Sequence, residues 1–239
     1  MFTTLRNFAA TFIPHCCIIC HKRQIDPLCQ SCFKELVRFK TKRCIVCANM
    51  SLVWVCKACK TQKPYFDETQ CVADFESRLQ LPIRQLRDHG KLNVLNGLHL
   101  TWIKSRSHHY STAQLIIPAP SCNLSIKKRG FSPSWEIAKQ IAKFQKIPCR
   151  SDLVTFKRFN CEIPKIRNFR FKFIYEHLEL NQTLLNQLKQ STKRLHIAVV
   201  DDFMHSGNTL NAVARHLKEN DVQWVSNWVL LRTSSSESY

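Results

Sequence analysis

Apolar positions along this chain recur in two rhythms, and they divide it into elements. Residues 113–117 (AQLII) form a short continuous apolar run that stops at Pro118-Ala119-Pro120, and 195–200 (LHIAVV) form a second. Runs of this length bounded by turn residues read as strands buried on both faces. Residues 222–231, rich in Val and Trp, predict a third strand, and 65–75 (YFDETQCVADF) predict an extended segment. Between them the period lengthens. Pro133 opens a stretch to residue 145 with Ile137, Ile141 and Phe144 on one face, and Leu210, Val213, Ala214 and Leu217 repeat at i, i+3, i+4, i+7 within 209–218. Both patterns predict helices that bury one stripe. Residues 80–88 and 91–104 have the same spacing, broken at Gly90. Strands alternating with helices predict an α/β domain with a mainly parallel sheet.

The first sixty residues show neither rhythm. They are organised by cysteine. Of 13 cysteines, nine lie between residues 16 and 59, and eight of these make four C-x-x-C pairs: Cys17/Cys20, Cys29/Cys32, Cys44/Cys47 and Cys56/Cys59. Two such turns aim four thiolates at one tetrahedral metal, so the pattern predicts two structural zinc ions. Consecutive pairing, crossed pairing and one metal-free half all fit the spacing. Cys16, beside a ligand, is not expected to be one. Cys71, Cys122, Cys149 and Cys161 lack ligand spacing and are expected to pack as small hydrophobes. A module over 1–63 with so few large apolar residues should fold only with metal, ahead of a second domain over 64–239.

Composition narrows the partners. The chain has 239 residues, 44% hydrophobic, with a formal net charge of +19. It can bury a core, which excludes wholesale disorder. It has no apolar run long enough for a spanning helix and no secretory leader pattern at 1–14, so no membrane insertion is expected and the expected address is the cytoplasm. Residues 234–239 are expected to fray, and His108-His109 to sit in a solvated loop. Residues 126–172 hold thirteen Lys/Arg against Glu136, Asp152 and Glu162. Phe131, Trp135, Phe144, Phe156, Phe159, Phe169 and Phe171 lie among them. Cations alternating with aromatics suit single-stranded nucleic acid, bound by charge and base stacking without strong sequence preference. The candidates are Lys127, Lys128, Arg129, Lys157, Arg158, Arg167, Arg170 and Lys172. Alternate Phe169, Phe171 and Phe173 also fit a half-buried strand, and at least half of these phenylalanines are expected in the core.

Residues 198–210 (AVVDDFMHSGNTL) carry the densest chemistry. A buried strand ends at Asp201-Asp202, a loop with Gly207 follows, and a helix begins. Carboxylates there can accept from ribose hydroxyls or help hold Mg²⁺, while a helix N-terminus offers amides to a phosphate. The alternative is a capped helix with two surface acids. The stretch resembles the phosphoribosyl pyrophosphate (PRPP) motif of type I phosphoribosyltransferases. With the four C-x-x-C pairs and PAPSCNLSIKKRGFSPSWEIAKQIA at 118–142, almost the whole chain resembles the ComF family of competence proteins.

That resemblance implies a phosphoribosyltransferase-like domain behind a zinc-ribbon-like module, and a role in handling incoming single-stranded DNA during natural transformation. It puts Asp201 and Asp202 on the ribose, and His205, Ser206, Gly207, Asn208 and Thr209 on the 5′-phosphate. Lys128 and Arg129 fall in a basic loop near the pyrophosphate, and Mg²⁺ is implied with PRPP. His205 replaces a usual threonine, Ser132-Pro133 a usual Asn-Gln, and Cys161–Pro164 shortens a glutamine-containing stretch. No base pocket or general base is legible, so two other readings stay open. One is an active phosphoribosyltransferase on an unknown acceptor. The other is a non-catalytic scaffold for DNA-uptake or helicase proteins.

Overall fold

The computed structural model describes residues 15–38, 42–105, 111–157 and 167–233. Its centre is a four-stranded, all-parallel sheet in the order β3 (Glu68–Asp74), β8 (Trp224–Arg232), β7 (His196–Met204), β4 (Leu115–Pro118). Strict alternation along the strands sorts their side chains onto two faces. Ile116, Ala198, Val200, Trp228 and Leu230 join one core. Leu115, Ile117, Ile197, Val199 and Val229 join the other. Both faces are covered, which is why the strands read as unbroken apolar runs.

On the first face lie α3 (Gln80–His89), α4 (Leu95–Ser105) and α6 (Pro133–Gln145). α3 ends at Gly90, whose φ of +63° lets its amide cap the helix. On the second face lie α7 (Arg167–His177), α8 (Gln182–Ser191) and α9 (Asn208–Glu219). α5 (Asn123–Arg129) follows β4 directly, and an antiparallel pair, β5 (Val154–Phe156) with β6 (Leu178–Leu180), completes this part.

The amino-terminal part contains the β1–β2 ribbon (His15–Cys16 with Arg23–Gln24), α1 (Gln30–Arg38) and α2 (Lys57–Thr61). It is packed on the sheet domain at two places. Ile18, between the first two ligand cysteines, presses against Gly97 of α4, where a Cβ would lie 2.5 Å from its Cγ2. The second cysteine cluster is tied to the sheet edge. Arg43 pairs with Asp74 of β3 at 2.7 Å, Ile45 O accepts from Thr69 N at 3.0 Å, and Arg232 Nε of β8 donates to Cys47 O at 3.0 Å.

Several expectations change. β7 continues four residues past Val200, through both acids to Met204. The expected basic loop at 128–129 is the last turn of α5, capped by Gly130 at φ +81°. Phe144 is 54% exposed. The stripe of α6 is filled by Ala138 and Ala142 with Ile137 and Ile141, and at 100° per residue Phe144 lies about 90° off its centre. Phe169, Phe171 and Phe173 belong to a helix. Its register is Phe171, Ile174, Tyr175, at i, i+3, i+4. Of the phenylalanines in the basic segment 126–172, Phe131, Phe156 and Phe171 are half-buried and pack against the two cores, while Phe144 and Phe169 are exposed. Residues 1–14, His108-His109, Phe159, Cys161–Pro164 and 234–239 lie outside the described residues.

Candidate ligand cleft and cysteine centres

The cysteines form two clusters, Cys17, Cys20, Cys29, Cys32 and Cys44, Cys47, Cys56, Cys59, with the Sγ atoms of each within 4.8 Å of one another. Consecutive pairing is therefore the arrangement adopted. Cys20 and Cys29 Sγ are 3.7 Å apart, as are Cys47 and Cys56. That is far beyond a disulfide, and it matches the edge of about 3.8 Å in a tetrahedron with Zn–S of about 2.3 Å. Backbone amides point at the sulfurs, Cys29 N at Cys17 Sγ (3.5 Å) and Cys56 N at Cys44 Sγ (3.4 Å). Such donors stabilise thiolate, the form that binds metal. Both clusters thus fit zinc. Cys16 is exposed and stands outside them, Cys122 is buried, and Cys71 and Cys149 are half-buried.

At the carboxyl ends of β4 and β7 the chain encloses a cleft of about 350 Å³. Its floor is Asp201 and Asp202. Successive strand residues point to opposite sides, so the two acids have different partners. Asp201 Oδ1 accepts from Ser134 Oγ of α6 at 2.8 Å and from Asp202 N at 2.9 Å. Asp202 is buried, with Oδ2 3.3 Å from Arg87 Nη1 of α3. The Arg87 guanidinium also lies over the Phe203 ring, 5.9 Å from its centroid, and Phe203 leans on Phe75. Burial, with the charge of Asp202 beside it, pushes the Asp201 carboxyl well above the usual range, while Ser134 and Arg87 pull it back.

One wall is the turn from Met204 into α9. Gly207 holds φ +77°, and a Cβ there would sit 2.6 Å from the Met204 methyl. The backbone angle favours glycine, and a side chain there would also have to displace the Met204 methyl. The turn presents Ser206, Gly207, Asn208 and Thr209 to the cleft at the start of a twelve-residue helix. First-turn amides have no partner within the helix itself and carry its positive dipole end. His205 lines the cleft too, with Nδ1 2.8 Å from Thr233 Oγ1. Arg232, buried in β8, clamps the base of this turn by donating to Met204 O and His205 O.

The opposite wall holds Ser121, Ser125 and Arg129, and Arg170 of α7 closes the rim. The structure thus brings together eight of the nine predicted ligand residues. Lys128 does not line the cleft; with Lys127 it is exposed on the outer side of α5. Arg170, predicted for nucleic acid, lies instead among the ligand residues. Of the remaining predicted nucleic-acid residues, Lys157 and Lys172 are exposed beside α7, Arg158 lies outside the described residues, and Arg167 only opens α7. Arg87, Ser121 and Ser134 were missed, because nothing local in LPIRQLRDH or in the α6 cap marks them as cleft residues.

Comparison with known proteins agrees with this geometry. Residues 124–238 match the phosphoribosyl transferase domain family. The chain is 23% identical over 210 residues to Competence protein F of Haemophilus influenzae, covering 86% of this chain and 90% of that protein. The chain is similar over most of its length to a competence protein and over its second half to phosphoribosyl transferase domains. A solved structure described as an analysis of an invariant aspartic acid in HPRTs, in a glutamic acid mutant, aligns over 65% of this chain and 71% of its own. It does so at 10% identity with a TM-score of 0.32. Among the described residues, no helix is long and apolar enough to cross a membrane.

Proposed function

We propose that this chain is a ComF-type protein that binds PRPP with Mg²⁺ in the cleft and holds single-stranded DNA on its basic flank, in the cytoplasm, during natural transformation. The observation that carries the reading is the meeting of two carboxylates, a helix N-terminus and three arginines around one cavity. Asp201 and Asp202 would accept from the ribose hydroxyls. Ser206 to Thr209 would receive the 5′-phosphate through amides and hydroxyls. Arg129 and Arg170 would meet the pyrophosphate, whose charge Mg²⁺ would help neutralise. His205 keeps a donor at the position of the usual threonine.

Two zinc ions would brace residues 1–63 against the sheet domain at 64–239. DNA contact draws on Lys127, Lys128, Lys157 and Lys172, with Phe169 exposed on α7 as a stacking surface. The competence role follows from the similarity to Competence protein F.

Calorimetric titration of PRPP with Mg²⁺ into zinc-replete protein tests the central claim. Saturable binding near one site per chain, lost in Asp202→Asn, is expected. Folded protein that takes up no PRPP would overturn the reading and leave the basic flank as the functional case.

A further inference from the structure

Between Cys47 and Cys56 the chain builds a surface that neither the cleft nor the DNA reading uses. Leu52 is 92% exposed, Trp54 82% and Val53 53%, with Met50 and Ile45 also exposed beside them. Single exposed apolar residues are ordinary, but four on one short loop, with Ile45 on the adjoining turn, are not. Exposure this high means that the side chains project from a tip and do not line a groove.

The tip is held in shape. Ser51 N donates to Lys42 O at 2.9 Å, and Ile45 N to Trp54 O at 2.9 Å. Ser51 Oγ donates to Val53 O at 2.8 Å and accepts from Val53 N at 3.3 Å. These backbone groups are satisfied within the loop, so the tip can leave water without stranding them. The segment that carries it is basic. Residues 42–63 contain Lys42, Arg43, Lys57, Lys60 and Lys63 and no acid. Arg43 is spent on Asp74, while Lys57, Lys60 and Lys63 are exposed.

We propose that this fingertip of the second cysteine centre is a membrane-contact loop that inserts Leu52, Val53 and Trp54 into the interface of an anionic bilayer. The shape and composition favour lipid. Aliphatic Leu52 and Val53 have no π face to offer a base, and Trp prefers the headgroup boundary. The exposed Lys57, Lys60 and Lys63, which follow the loop in sequence, supply attraction to anionic headgroups. The contact is peripheral and needs no spanning or amphipathic helix, which is why the hydrophobic rhythm of the sequence gives no sign of it. The cysteine centre would act as a rigid base for the tip.

Flotation of the full-length, zinc-replete protein with vesicles tests this. Binding is expected to phosphatidylglycerol/phosphatidylethanolamine vesicles and to be much weaker to phosphatidylcholine vesicles. Leu52→Ser with Trp54→Ser should lower partitioning by about a hundredfold, about tenfold for each buried side chain lost. Trp54→Phe should retain most of it. In wild type, lipids brominated in the acyl chain should quench the fluorescence that is absent from Trp54→Phe. The proposal falls if wild type does not float with anionic vesicles. It also falls if the double variant floats as well as wild type, since the overall positive charge would then account for binding. Loss of DNA affinity with vesicle binding unchanged would overturn it in favour of base stacking on Trp54.

Discussion

Replacing Asp201 with Asn should stabilise this protein while disabling its cleft. The native carboxylate is buried beside Asp202, and its Oδ1 is already used by Ser134 Oγ and Asp202 N. An asparagine keeps that acceptor and removes the charge. Two unit charges about 5 Å apart repel by about 3 kcal/mol at an effective dielectric constant of about 20. Arg87, 3.3 Å from Asp202, offsets much of this, which leaves a gain of about 1 kcal/mol. For a chain of this length that is a rise in Tm of about 2–4 °C. The sign follows from the raised pKa of Asp201. Its contribution to stability is full below the unfolded pKa of about 3.9 and is lost progressively as pH rises toward the folded value. The advantage of Asp201→Asn should therefore grow, or level off, as pH increases. Thermal unfolding of zinc-saturated wild type and variant between about pH 6 and 8 measures it, above the range where protons displace zinc from thiolates. PRPP titration on the same samples should show affinity reduced at least about tenfold, the cost of losing a charged acceptor. A variant less stable than wild type at pH 7.5, or an advantage that shrinks as pH rises, would refute the account of the acidic pair.

Other consequences follow from the same geometry. Gly97→Ala should cost about 1–3 kcal/mol by overpacking, since three Ile18 side-chain atoms lie within 2.8 Å of the new Cβ. Denaturant melts should show a favourable coupling when Ile18→Ala is added. Metal analysis should find two zinc ions per chain and one in Cys44→Ser, and a single zinc in wild type would mean that only one cluster is a metal site. Because Arg129 lines the cleft and Lys127 and Lys128 do not, the two functions should separate. Lys127→Ala with Lys128→Ala should lower the salt slope of single-strand binding by about 1.4, near 0.7 per phosphate contact, with PRPP affinity unchanged. Arg129→Ala should weaken PRPP about tenfold or more.

How much of this was legible beforehand differs from element to element. α6 was found at the residues it occupies, because Pro133 at the first turn and the Ile137/Ile141 spacing are local signals. β7 was found but cut short. Asp201-Asp202 breaks the apolar run, yet pairing with β8 continues through Phe203 and Met204 because the sheet partner, not the side chain, extends the ladder. α7 is not legible as a helix, since alternate phenylalanines also fit a half-buried strand and mask the weaker i, i+3, i+4 register. The acids and the Gly207 turn, adjacent in sequence, lie together at the cleft. Arg87, Ser134 and Arg170 arrive from three other helices, and no short-range pattern marks which helix ends face a given sheet edge.

The sequence by itself determined much of what depends on neighbours along the chain. It settled the four C-x-x-C turns, the buried strands and their alternation, the helix before and after the sheet edge, and the glycine turn whose backbone angle favours a residue without Cβ. Tertiary structure decided what depends on residues far apart. It chose consecutive pairing of the cysteines, because only folded knuckles bring four sulfurs to tetrahedral separation. It gave Asp202 its arginine and moved Arg170 from the flank into the cleft. It left Leu52 and Trp54 in solvent, because burial is a property of the assembled chain and a side chain is exposed only where no distant segment comes to cover it.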